Sequence, residues 1–198
     1  MLVAARFQHA GYTIDFDEKT DVVARRDGIK VHIECKRLTS EKQLNKRIGE
    51  AADQLSKAPT KVGEKVAGLI FLDVSSCIIE SVPRDVDTAN DAEREVKREL
   101  QRFLSRNAAK TETANQKYLD VSYATCFSTA LPIWTRCDFV MQTVSPMDVR
   151  AAESLSDERF EKLKQVLSGV DQSFTEIFRL MESAAQAPFG ESLAEEPN

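Results

Sequence analysis

Residues Thr20 to Arg37 read T-D-V-V-A-R-R-D-G-I-K-V-H-I-E-C-K-R. Asp27-Gly28 separates two β-rich runs, the pattern of a hairpin closed by a two-residue type I′ turn. Such a turn sets the register: Arg26 faces Ile29, Ala24 faces Val31, Val22 faces Ile33 and Asp21 faces Glu34. Period-2 alternation then gives an apolar face of Val22, Ala24, Val31, Ile33 and Cys35. Asp21, His32, Glu34 and Lys36 share the opposite face.

Directly opposed like charges destabilise a strand pair. Selection for stability alone would not set two carboxylates against each other with a lysine one step along. A divalent cation removes the repulsion, because hard cations such as Mg²⁺ or Mn²⁺ take oxygen ligands. Beside such a cation, Lys36 can hold an attacking water or stabilise a developing oxyanion. The competing reading is an open hairpin end whose two acids splay apart into solvent.

The run D-(strand)-D-G-(strand)-E-C-K resembles the core motif of the PD-(D/E)xK phosphodiesterases, the restriction-endonuclease-like superfamily. The resemblance spans roughly residues 1–75. It implies Asp21 and Glu34 as metal ligands, Lys36 as the catalytic lysine and the Cys35 carbonyl as a further metal donor. Thr20 stands where the family usually has proline. The further acid that relatives often carry on the helix before the hairpin has no counterpart here. Several branches of the superfamily place on the next helix a glutamine that orients substrate or water, and Gln54 is the matching candidate. The implied reaction is metal-dependent hydrolysis of a nucleic-acid, by expectation DNA, phosphodiester. The alternative is a non-catalytic domain on the same scaffold that binds nucleic acid or protein.

With 198 residues and a formal charge of −5, the chain suits one sizeable core and not a general coat for nucleic acid. The charge is uneven. Lys36 to Lys65 holds eight Lys/Arg and four Asp/Glu, whereas the chain from Asp148 onward holds five and eleven. A local basic patch beside the proposed site suits a phosphate backbone, with Arg37 and Arg47 as contact candidates. No apolar run approaches a membrane span, and no signal-peptide pattern opens the sequence. Cys35, Cys77, Cys126 and Cys137 are scattered, which argues against zinc and for buried thiols in a reducing cytoplasm.

Leu2 to Ala10 reads as a helix stopping at Gly11, and Tyr12 to Phe16 as a strand with Asp17 and Glu18 in the turn beyond. Ser40, with Gln43 three later, signals a capping box for a helix whose apolar stripe is Leu44, Ile48, Ala51, Ala52 and Leu55. Gln43, Arg47, Glu50 and Gln54 form a polar row beside that stripe. Lys57 to Lys65 reads as a basic loop, and Val66 to Leu72 as a strand buried on both faces. Asp73 reads as a turn residue, Ser81 to Asn90 as a loop, and Asn90 to about Lys110 as an amphipathic helix capped by Asn90. Val121–Leu131 and Phe139–Val144 read as strands joined by a Pro132–Asp138 turn, with Trp134 in the core. A helical stripe runs from Ser156 to about Ala187, with Gly169 as a breakpoint.

The expected architecture is a restriction-endonuclease-like mixed central sheet flanked by helices, with a C-terminal helical extension. Its expected divisions are an α/β domain over 1–150, the extension over 151–187 and a disordered tail over 188–198. The long stripe offers either a packing surface on the domain or a homodimer contact.

Overall fold

Asp27 and Gly28 have φ values of 51° and 73°, the two left-handed residues of a type I′ turn. The turn joins β2 (Val22–Arg26) to β3 (Ile29–Arg37) with Arg26 opposite Ile29 and Val22 opposite Ile33, the register expected from the sequence. A computed structural model describes residues 2–16, 20–58 and 65–170. The Asp17-Glu18 turn, the loop 59–64 and the helical pattern beyond Val170 lie outside the described residues.

The chain begins with α1 (Leu2–His9), closed by Gly11 at φ 84°, and β1 (Thr13–Asp15) pairs antiparallel with β2. After β3 a single 3₁₀ turn, Glu41–Gln43, precedes α2 (Leu44–Leu55). The Ser40 hydroxyl accepts the Lys42 N–H, while Gln43 accepts the Thr39 hydroxyl at 2.9 Å. The expected capping box is therefore replaced by a one-turn overhang. Next come β4 (Lys65–Asp73), a short α3 (Ser75–Ile78), β5 (Asp85–Val86) and α4 (Ala89–Arg106). Thr88 caps α4 reciprocally with Asp91, two residues before the cap read from Asn90.

Asn107 ends α4, its amide donating back to the Phe103 carbonyl and to Glu41, and α5 (Ala108–Lys117) starts at once in a new direction. The single helix read through Lys110 is thus two. Four strands follow: β6 (Ala124–Ser128), β7 (Leu131–Thr135), β8 (Val140–Val144) and β9 (Met147–Ala151). Pro132 to Thr135, read as turn, is strand. Trp134 is an outward residue of that strand, 38% exposed and not core. Finally α6 (Asp157–Leu167) is capped by the Ser156 hydroxyl, and Gly169 follows it at φ 82°.

The fold is α/β, with a mixed six-stranded sheet in the order β1-β2-β3-β4-β6-β9 flanked by helices on both faces. β3, β4 and β6 run parallel, and the other pairings are antiparallel. A small second sheet, β5-β7-β8, leaves from the carboxyl end of β6. On one face Val22, Ala24, Val31, Ile33, Leu69 and Phe71 pack with Val3 and Phe7 of α1 and Leu163 and Val166 of α6. On the other face Ile70, Leu72 and Phe127 pack with the stripes of α2 and α4, including Leu44, Ile48, Val96 and Phe103. The described part of the C-terminal pattern therefore closes one layer of the sandwich. Among the described residues no helix is long and apolar enough to cross a membrane.

Candidate active site

The site forms where β2 has ended and β3 runs on. β2 pairs as far as Val22, and Asp21 then takes over from the main-chain ladder. Its N–H donates to Glu34 Oε1 at 3.3 Å, and its Oδ2 accepts the Cys35 N–H at 2.8 Å. In an extended strand a residue's N–H and C=O point to the same edge. The Cys35 carbonyl therefore faces the same side as the Asp21 carboxylate.

Lys36 Nζ lies 3.1 Å from Glu34 Oε2 and 3.9 Å from Asp21 Oδ2. The two carboxylates thus converge on one position and share one ammonium, instead of splaying into solvent. Their environments differ sharply: the Glu34 side chain is 1% exposed and that of Asp21 is 47%. Burial raises the pKa of Glu34, with the Asp21 charge adding and the Lys36 hydrogen bond opposing. A buried carboxylate beside a second one is an arrangement that cations stabilise.

The donor set fits a hard cation. Two carboxylates and a main-chain carbonyl are oxygen ligands of the kind Mg²⁺ takes, leaving room for water or substrate. Among the described residues no group of three or more His, Cys, Asp and Glu side chains gathers, which leaves this two-carboxylate constellation distinct from a zinc cage. The Cys35 thiol is pushed up to about 12, chiefly by burial, so the residue offers its carbonyl and not a thiolate. All four cysteines are free.

The polar row on α2 is arranged differently from the sequence expectation. Gln54 is exposed, and no hydrogen bond joins it to the site. Glu50 is the member that feels Lys36. Its carboxyl is held below the usual range by the Arg47 hydrogen bond first, and by the charges of Arg47, Lys46 and Lys36. Arg47 Nη1 bonds Glu50 at 2.8 Å, so this candidate phosphate contact is already paired. Arg37 pairs with Asp73 at 3.1 Å while its side chain is 73% exposed. Asp73 also accepts the Ser75 N–H at 3.0 Å and the Ser75 hydroxyl at 2.6 Å, which makes it the turn residue the sequence suggested. The sequence put Glu50 in this polar row but gave it no role of its own, because a glutamate among salt-bridging neighbours looks like any solvated helix face.

Comparison with protein-family models and with curated proteins finds no match.

Proposed function

We propose that the protein is a metal-dependent phosphodiesterase acting on nucleic acid, DNA by first expectation, on a restriction-endonuclease-like scaffold. The observation that carries this reading is the convergence of Asp21, Glu34 and Lys36 at the open end of the hairpin. Asp21, Glu34 and the Cys35 carbonyl would hold Mg²⁺ or Mn²⁺, which supplies charge stabilisation and a more acidic bound water. Lys36, already beside both carboxylates, orients the attacking water and stabilises charge developing on the phosphate. Arg37, on the same strand and largely solvent-facing, is placed to meet a flanking phosphate. Glu50 holds Arg47 at the margin and adds negative charge near Lys36, whereas Gln54, the sequence candidate for orienting substrate or water, is exposed.

The test is cleavage of plasmid and linear DNA with Mg²⁺ or Mn²⁺ by the wild type and by Lys36→Ala. The expected result is metal-dependent cleavage by the wild type and none by the variant. Undiminished cleavage by Lys36→Ala would refute the mechanism. A second reading, a non-catalytic binding domain, draws on the Lys36 ammonium itself, which already balances the two carboxylates. In that case neither cleavage nor stabilisation by a divalent cation is expected.

A further inference from the structure

We infer that the open edge of β8 pairs antiparallel with β8 of a second copy of this chain, joining two three-stranded sheets into one about a two-fold axis. This surface lies outside the cluster of Asp21, Glu34 and Lys36, and its use does not depend on the phosphodiesterase reading.

β7 decides which main-chain groups of β8 are left open. The Trp134 N–H donates to the Arg84 carbonyl at 3.0 Å and the Arg136 N–H to the Val86 carbonyl at 2.9 Å, so these residues point toward β5. Leu131, Ile133 and Thr135 therefore turn toward β8, where they face Val144, Gln142 and Val140. Met141 and Thr143 are left with their N–H and C=O groups on the far side. Among the described residues no strand pairs with that side, since β8 ends its sheet. The start of the strand is correspondingly open: Phe139, Val140 and Met141 are 78%, 42% and 60% exposed.

The other sheet edges are guarded. β1 has three residues and ends in Asp15, β5 has two and begins with Asp85, and β9 carries Asp148 and Arg150. Edges are kept short or charged because an open ladder invites another strand. β8, V-M-Q-T-V, is five residues long and holds no charge, proline or glycine. It is also self-complementary in one register. An antiparallel pair centred on Gln142 sets Met141 against Thr143 of the second copy, Val140 against Val144, and Gln142 against Gln142. That register uses the whole strand and engages the open groups of both Met141 and Thr143. It matches apolar with apolar and amide with amide. Asp138, the nearest charge before the strand, falls opposite Pro146, so no like charges meet. Sliding either strand by two residues sets Val140 or Val144 against an amide and leaves an end unpaired. This self-matching favours a second copy over an unrelated strand. The contact is small beside the about 1,200–2,000 Å² of a standard interface, so the dimer is a concentration-dependent one.

The experiment is sedimentation velocity of the full chain from low micromolar concentration upward. The wild type should move from monomer toward dimer mass. Gln142→Lys and Gln142→Glu each set like charges face to face across the two-fold axis and should stay monomeric over the same range. Mixing the two should restore the dimer, which variants that had merely lost their fold could not do. Met141→Pro removes an N–H that faces the open side and none that faces β7. It should also stay monomeric, with its melting temperature little changed. A wild type that is monomeric throughout overturns the pairing and leaves the edge to a strand of another protein. A dimer that survives both charged variants overturns it as well and places the contact elsewhere on the chain.

Discussion

The Asp21 carboxylate accepts the backbone N–H of Cys35 at 2.8 Å, a side chain continuing a ladder that β2 has left. This one bond aims Asp21 along β3, fixes it next to Lys36 and makes the end of the hairpin a charged cluster instead of a frayed tip. The buried member of that cluster, Glu34, carries the energetic consequence.

Glu34 gives a pH signature. Its pKa in the folded chain lies above its ordinary value of 4.5, chiefly through burial. The folded state therefore binds the proton more tightly than the unfolded one. Stability falls as pH rises between the two values, and the penalty is complete above the folded pKa and absent below the unfolded one. Glu34→Gln should melt at a higher temperature than wild type at neutral pH in metal-free buffer, with the gap closing as pH drops below about 4.5. A gap that widens on acidification contradicts the assignment.

Lys36 partners that carboxylate, so its removal should be felt in stability before any chemistry is assayed. Lys36→Ala leaves a buried charge short of its main cation. Breaking a fully buried pair costs roughly 3–5 kcal/mol, and the ability of Glu34 to take up a proton lowers this to on the order of 2 kcal/mol. Adding Glu34→Gln should return most of the loss. Denaturant unfolding of both singles and the double closes the cycle, and simple additivity would show that the two side chains do not interact.

Backbone geometry sets a third expectation. A Cβ on Gly68, in the middle of β4, would overlap the Val121 carbonyl oxygen. Main chain cannot yield as a side chain does, so Gly68→Ala should cost several kcal/mol, about 2–4, or prevent folding. At Gly28 a Cβ meets nothing within 4 Å, and only the φ of 73° opposes it. Gly28→Ala should cost about 1 kcal/mol. Chemical denaturation of the two variants separates steric overlap from dihedral strain.

The hairpin, its turn and its register were legible because local chemistry decides them: Asp-Gly demands two left-handed residues, and alternation does the rest. The strand at Val66–Leu72 was legible because a strand buried on both faces is apolar throughout. The break at Asn107 was not, since α5 reads A-A-K-T-E-T-A-N-Q-K and offers little periodicity on either side of the kink. Trp134 and its strand were missed because Pro132 suggested a turn, whereas it stands one residue into a short strand of the small sheet. β9, with Asp148 and Arg150 paired to each other at 2.8 Å, shows no clean alternation that would announce an edge strand. At the site, the sequence located the three charged residues by register. It could not show that Glu34 is buried while Asp21 is half open.

That asymmetry also separates the roles of the three residues. If Asp21 and Glu34 hold a divalent cation, Mg²⁺ or Mn²⁺ should raise the melting temperature of the wild type by mass action on the folded state. Lys36→Ala should keep this shift, since the ligands survive, while losing cleavage. Asp21→Ala should lose both, because one carboxylate is a poor cage for a hard cation. In metal-free buffer Asp21→Ala should change stability by no more than about 1 kcal/mol. It gives up the hydrogen bond to Cys35 but also relieves the repulsion on Glu34. The measurement is thermal melting of the three proteins with and without the cation, alongside plasmid cleavage. A cation-dependent shift that persists in Asp21→Ala would place the metal elsewhere and leave Asp21 as a strand-end lock.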